Sequence, residues 1–207
     1  MKSLIIVDMQ NDFMPGGALA VPGADELVEP INRLMGRFPL VVASRDRHPP
    51  EHTSFASNHE GRDPGEVVEV EGMRQMLWPD HCVADTEGAE FVSGLDLDGI
   101  DHVVLKGTDP RYDSYSTFFD NGHEHSTGLD AFLKSKAVTA VWIVGVATEV
   151  CIRFTALDAI RCGYETHLVR DLCRGVEMQE GDIAGALAQM EDADVRMTES
   201  GAVPDVS

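Results

Sequence analysis

Six short apolar runs, rich in β-branched residues, recur along the 207-residue chain. They lie at 3–8, 40–45, 102–106, 140–146, 164–169 and 193–197. Runs of this length and composition predict buried parallel strands. Between them the apolar positions return at helical spacing. Leu27, Ile31, Leu34 and Met35 place a helix over 24–37, with Asp25 and Glu26 near its start. Val150, Phe154, Leu157 and Ile160 share one face of a second helix over 149–162. Thr148 is its expected N-cap and Gly163 its stop. A third helix is expected over 180–191. Strands alternating with helices at this spacing predict an α/β fold, one domain over residues 1–207 with a parallel sheet. The last residues, 200–207, are expected to be a frayed tail.

Two segments break the alternation. Residues 47–80 are rich in Pro, Gly, His and charge, and residues 108–127 in Ser, Tyr, Asp and His. Long loops in compact domains are usually functional. Each follows a run that ends in a reactive residue. The first run ends in Asp8, the second in Asp46 with His48 just beyond, the third in Lys106, and the fourth leads into Cys151. In an open parallel sheet the ligand crevice lies beyond the carboxyl ends of the strands. Neighbouring strands would therefore bring an acid, a metal-type pair, a lysine and a thiol to one place.

Composition narrows the setting. Hydrophobic content of 43% and charged content of 25% are ordinary for a globular protein. The net charge of −20 argues against nucleic acid as a partner, because phosphates would be repelled. No run has the length and apolarity of a transmembrane helix, so no membrane partner is expected. MKSLIIVDMQ reads as a first strand and not a signal peptide, because Asp8 interrupts its apolar run. The four cysteines are spread without a CxxC pair, which favours reduced thiols and a cytoplasmic location. A homodimer or higher homo-oligomer is the base-rate expectation.

Each candidate has a bland reading beside the chemical one. Cys151, about one turn into its helix, would see the positive end of the helix dipole, which lowers a thiol's pKa. The alternative is a small core cysteine. Asp8 is a proton carrier or a turn aspartate, and Lys106 an electrostatic organiser or a strand-end lysine reaching solvent. Asp46 and His48, two apart on an extended segment, point the same way. With His81 from WPDHC they make a carboxylate and two imidazoles, a donor set that suits one divalent Zn, Fe or Mn ion. His52 is close enough to assist. His102 and His167 read as structural, and the HEH at 123–125 as a solvated loop.

Taken together, DMQNDFMPGGALAVPGA, SRDRHPPEHTSFAS, LWPDHC, KGTDPRYDSYSTFFDN and VGVATEVCIRFTALDA resemble the nicotinamidases (pyrazinamidases) of the isochorismatase-like hydrolase superfamily. The likeness runs from about Leu4 to Met197. It implies a three-layer α/β/α fold with a six-stranded parallel sheet in order 3-2-1-4-5-6. It implies Asp8, Lys106 and Cys151 as a catalytic triad, and Asp46, His48 and His81 as metal ligands. Phe13 and Trp78 would sandwich a pyridine ring, with Tyr115 as a pocket wall. A cis peptide between Val146 and Ala147 would aim the N–H groups of Ala147 and Cys151 at an oxyanion. The implied activity is hydrolysis of nicotinamide to nicotinate and ammonia through a cysteine thioester. This is a step of NAD salvage (pyridine nucleotide biosynthesis), and pyrazinamide should turn over too. The alternative is a related amidase acting on a ureido or carbamoyl compound. Two positions depart from the family. Arg47 replaces a frequent tryptophan and should point away from the metal. Glu149-Val150 replaces Asp-His or Asp-Tyr, which puts a polar helper at position 150 in doubt.

Overall fold

The computed structural model describes residues 1–205. Six strands form one parallel sheet: β1 (Lys2–Val7), β2 (Val41–Asp46), β5 (His102–Lys106), β6 (Ala140–Val146), β7 (Glu165–Arg174) and β8 (Arg196–Thr198). Their order across the sheet is β5-β2-β1-β6-β7-β8. Counting only these six, that is the expected 3-2-1-4-5-6. The bounds shift little from the sequence reading, except that β7 runs five residues further and carries a register shift against β6 between Ile143 and Gly145.

The period-two alternation of a strand sorts its side chains into two cores. Leu4 and Ile6 of β1, Val41 and Ala43 of β2, and Trp142 and Val144 of β6 face α1 (Val28–Met35), which contributes Ile31, Leu34 and Met35. Ile5, Val7, Val42, Ile143 and Leu168 face the other way. There they pack on α2 (Leu129–Ser135), α3 (Arg153–Arg161) and α4 (Asp182–Asp192) through Leu133, Ala156 and Met190. The continuous apolar runs are thus strands buried on both faces. The polar residues that close them are left at one end of the sheet.

Four expectations need correction. The segment 47–80 is not all loop: β3 (Val67–Val70) and β4 (Met73–Met76) form an antiparallel hairpin. Its two-residue turn, Glu71-Gly72, takes positive φ at both residues, the geometry that matches strand twist. The short helix α2 was not anticipated. Thr148 is not an N-cap. Ala147 holds extended backbone, and its carbonyl accepts the N–H groups of Val150 and Ile152, so Thr148–Ile152 forms a single π-helical turn ahead of α3. The tail is not frayed through Val203. Arg37 donates to the carbonyls of Ser200 and Val203 at 3.1 Å, Asp171 accepts the Ser200 N–H at 2.8 Å, and Val203 is buried. Residues 206–207 of that expected tail lie outside the described residues. No helix among the described residues is long and apolar enough to cross a membrane.

Candidate active site

The carboxyl ends of β1, β2, β5 and β6 are adjacent, and each delivers one reactive group. The chain leaves β1 through Asp8 at φ 53°, a left-handed conformation that aspartate tolerates better than most residues. Lys106 closes β5 in register with Asp46 of β2. Cys151 sits in the π-helical turn that follows β6. The peptide bond between Val146 and Ala147 is cis.

Lys106 is the hub. Its ammonium lies 2.5 Å from Asp46 Oδ1, 2.8 Å from Asp8 Oδ2 and 3.5 Å from Cys151 Sγ, and it donates to the Ser114 carbonyl at 3.3 Å. Asp8 is fully buried, and Lys106 is 1% exposed. Neither lines the pocket. Both lie beneath its floor and meet it through Cys151 and Asp46. Burial opposes the charge on Lys106, but the two carboxylates and the thiol facing it raise its pKa well above the ordinary lysine value. The ammonium therefore persists at neutral pH.

The thiol departs from expectation. Burial pushes Cys151 well above an ordinary thiol pKa. Lys106 opposes the shift, while Asp8 and Asp46 reinforce it. A helix-dipole effect would have lowered it, but the local desolvation and two neighbouring carboxylates outweigh that. At rest the group is a thiol, and ionising it requires an acceptor for its proton. Asp8 places a carboxylate oxygen within 4.8 Å of Sγ.

Beside this cluster, donor atoms of Asp46, His48 and His81 lie within 4.8 Å of one another, all buried. Two backbone bridges in the long segment build this corner. His48 pairs with Val83, and Phe55 with Trp78, which places His81 against His48 at 5.0 Å between ring centroids. Each imidazole donates through Nδ1 to a backbone carbonyl. His48 donates to Gly107 at 3.0 Å and His81 to Pro79 at 2.7 Å, so both present an unprotonated Nε2. This is the outer-sphere arrangement that orients histidine ligands. Gly107 is required beside His48, because a Cβ there would lie 2.2 Å from the imidazole. Burial lowers the pKa of both histidines, which keeps the rings neutral and able to ligate. It raises Asp46 to about 8 in spite of Lys106. Two buried carboxylates and two neutral imidazoles around a single ammonium fit a divalent cation. The His52 ring is tilted against His48, with centroids 4.3 Å apart, and its Nδ1 is engaged by Ser54. With Asp113 and His48 it forms an adjoining donor group.

Phe13, Trp78 and Tyr115 line the same pocket as Cys151, His48 and His81. Trp78 Nε1 donates to Tyr115 Oη at 3.1 Å, which fixes two walls against each other. Arg47 points away from the donor set to pair with Asp85 at 2.7 Å, as expected. His102 stacks on Phe132 and His167 on Trp142, both structural. The HEH segment is an exposed loop, as expected, with His123 paired to Asp158 and His125 to Asp120.

Sequence reasoning missed the groups that hold these in place. Ser44 Oγ donates to Asp8 Oδ1 at 2.7 Å. The Gln10 amide bridges β1 and β2, accepting from Asp46 N–H and donating to Asp46 O, both at 2.8 Å. Asp113 accepts from Gln75 at 2.8 Å. A signal existed for Ser44. It is the polar residue that follows the apolar Val41–Ala43 of β2, beside β1, whose own apolar run ends at Asp8. Ser44→Ala is expected to cost about 1–3 kcal/mol, because it leaves a buried carboxylate oxygen short of a donor. Denaturant unfolding measures this.

All four cysteines are free. The isochorismatase domain model matches residues 2–200. Nicotinamidase from Escherichia coli K12 is 44% identical over 93% of this chain and 92% of its own length. A solved nicotinamidase pyrazinamidase from Acinetobacter baumanii superposes with a TM-score of 0.93 at 40% identity, covering 97% of this chain and 96% of that one. A pyrazinamidase of Pyrococcus horikoshii in complex with zinc gives a TM-score of 0.78 at 38% identity over 96% and 98%. The sheet order, the matched span and relatives of equal length agree, and the chain belongs to the isochorismatase family.

Proposed function

We propose that this protein is a nicotinamidase, a metal-dependent cysteine amidohydrolase that converts nicotinamide to nicotinate and ammonia and accepts pyrazinamide. The observation that carries the reading is the pairing of a buried Asp8–Lys106–Cys151 cluster with the Asp46, His48 and His81 donor set in one aromatic-walled pocket. An amidase acting on an acyclic ureido compound would use the first cluster but has no need of the second. The relatives named nicotinamidase or pyrazinamidase, one of them solved with zinc, support the same choice.

Asp46, His48 and His81 would hold a divalent ion, which would supply a Lewis acid for the ring nitrogen. Phe13 and Trp78 flank the ring, and Tyr115 closes the side. Asp8 takes the proton of Cys151, and the thiolate forms beside the Lys106 ammonium. The thiolate adds to the carboxamide carbon, and the amides of Ala147 and Cys151 hold the oxyanion. Asp8 then gives its proton to the nitrogen, since ammonia leaves far more readily than an amide anion. The C–N bond breaks and a thioester remains. Asp8 next takes a proton from water as the water attacks the thioester. The C–S bond breaks, nicotinate departs and Cys151 recovers its proton.

Ammonia release from nicotinamide by the purified protein tests this directly. Chelator is expected to abolish turnover, and Zn²⁺, Mn²⁺ or Fe²⁺ to restore it. Turnover of a ureido substrate alone, indifferent to chelator, overturns the reading. His81→Ala is expected to weaken metal binding at least about 100-fold, more than outer-sphere changes usually do. Metal titration followed by calorimetry measures it.

A further inference from the structure

The carboxylate two residues ahead of Cys151 serves neither the thiol nor the metal donors. Glu149 is 4% exposed. Its Oε1 accepts the successive N–H groups of Val176, at 2.8 Å, and Glu177, at 3.3 Å. Successive amides turned toward one oxygen make an anion-holding concavity. Here the protein's own carboxylate fills it, and Glu177 takes the left-handed φ of 54° that the turn demands. The approach is close. A Cβ on Gly175 would lie 2.2 Å from Glu149 Oε2 and 2.8 Å from Ile183 Cδ1, so a side chain there must push both aside. The segment held this way reaches the pocket, which Val176 and Met178 line together with Glu149 and Cys151. Met178 is 46% exposed, at the rim.

We infer that Glu149 is a positioning residue that latches the segment 175–178 onto the turn bearing Cys151. It thereby fixes the outer wall of the pocket and sets which ring substituents are admitted. The kinetic part of this inference rests on the amidase reading above. Charge-assisted bonds to two backbone amides are strong enough to order a short exposed segment. Without them the wall must be ordered anew whenever substrate binds, which weakens binding. Asp8, Lys106 and Cys151 are held by other partners, so the chemical step is spared.

The test compares wild type with Glu149→Gln, Glu149→Ala and Gly175→Ala. Amide hydrogen exchange at Val176 and Glu177 is read separately from nicotinamide kinetics. Glu149→Ala is expected to speed exchange at both amides at least about tenfold and to raise KM about five- to tenfold, the scale of one net hydrogen bond. Its kcat should stay within about threefold of wild type, and discrimination against ring-substituted nicotinamides should relax. Glu149→Gln keeps an acceptor oxygen and should hold KM within about twofold of wild type. Gly175→Ala forces the carboxylate away from the other side and should reproduce the Glu149→Ala pattern even if that variant fails to fold. Unchanged exchange and KM in both alanine variants would overturn the inference. So would a Glu149→Gln variant as impaired as Glu149→Ala, or a loss confined to kcat. A wild-type protein that does not turn over nicotinamide would sink the amidase reading instead, and the exchange comparison would stand apart from it.

Discussion

Replacing Cys151 by alanine is expected to lower kcat for nicotinamide by at least about 10³-fold, the scale on which an enzyme loses a covalent step. The residue is 8% exposed at the pocket floor and touches no other group that could take its place. Asp8 and Lys106 would remain, but the ammonium has no free electron pair and the carboxylate is engaged by Ser44 and Lys106, so neither replaces the thiol as a nucleophile. Loss of one sulfur at the pocket surface should barely change the unfolding midpoint, so a folded, inactive protein is the expected result. Nicotinamide binding should survive, because the proposed ring contacts from Phe13, Trp78 and the metal donors remain. Binding to the alanine variant, read by quenching of tryptophan fluorescence, separates the two roles. Residual turnover within about tenfold of wild type would mean that Cys151 is not the nucleophile.

The state of that thiol also bears on the sequence of events. Burial and two nearby carboxylates keep Cys151 protonated at rest. In the proposed mechanism, proton transfer to Asp8 is therefore a step of the cycle. Asp8→Asn should consequently approach the defect of Cys151→Ala, since asparagine accepts no proton from the thiol and returns none to the leaving nitrogen.

How far the chain could be read without coordinates depended on the kind of signal. Strands buried on both faces announce themselves as unbroken apolar runs, and their polar last residues mark the crevice. Asp8, Asp46 and Lys106 were legible for that reason. His81 and Trp78 were not legible from periodicity. They reach the site through backbone bridges to His48 and Phe55 that leave no pattern in the sequence; His81 stood out only as a histidine beyond the long loop, and Trp78 only through the family motifs. The hairpin at Val67–Met76 was overlooked, although alternation flanks a Glu71-Gly72 turn there. The direction of the thiol's pKa was misjudged because a helix terminus is a local property, whereas desolvation and the approach of Asp46 are set by three other strands. Ser44 and Gln10 escaped notice for the same reason, since each acts across the β1–β2 pair on a partner 36 residues away.

Lys106→Met should damage both stability and activity, in a way that depends on pH. The methionine has nearly the volume of the lysine and fills the space, so the change is one of charge. Asp8 and Asp46, fully buried and 3% exposed, would lose the single ammonium that lies 2.8 and 2.5 Å from them. Breaking a buried ion pair by removing one partner costs about 3–5 kcal/mol. The burden falls on the carboxylates. Asp46 is already raised to about 8 with Lys106 in place, and Lys106 is the largest influence holding it down. Without the lysine the folded carboxyl would be raised further. A carboxyl whose folded pKa exceeds its unfolded value binds more protons when folded, so stability falls as pH rises between the two. The metal-free variant should therefore lose stability from about pH 4 upward to beyond pH 8, more steeply than metal-free wild type. Urea unfolding at pH 5 and pH 8 reads the difference. Adding Asp8→Asn to Lys106→Met removes one of the stranded charges and should recover part of the loss, a coupling that a double-mutant cycle isolates. Activity should fall about 10²- to 10³-fold in the single variant, since the thiolate would form without its counter-charge. A Lys106→Met protein as stable as wild type at both pH values would show that the two carboxylates do not depend on this lysine.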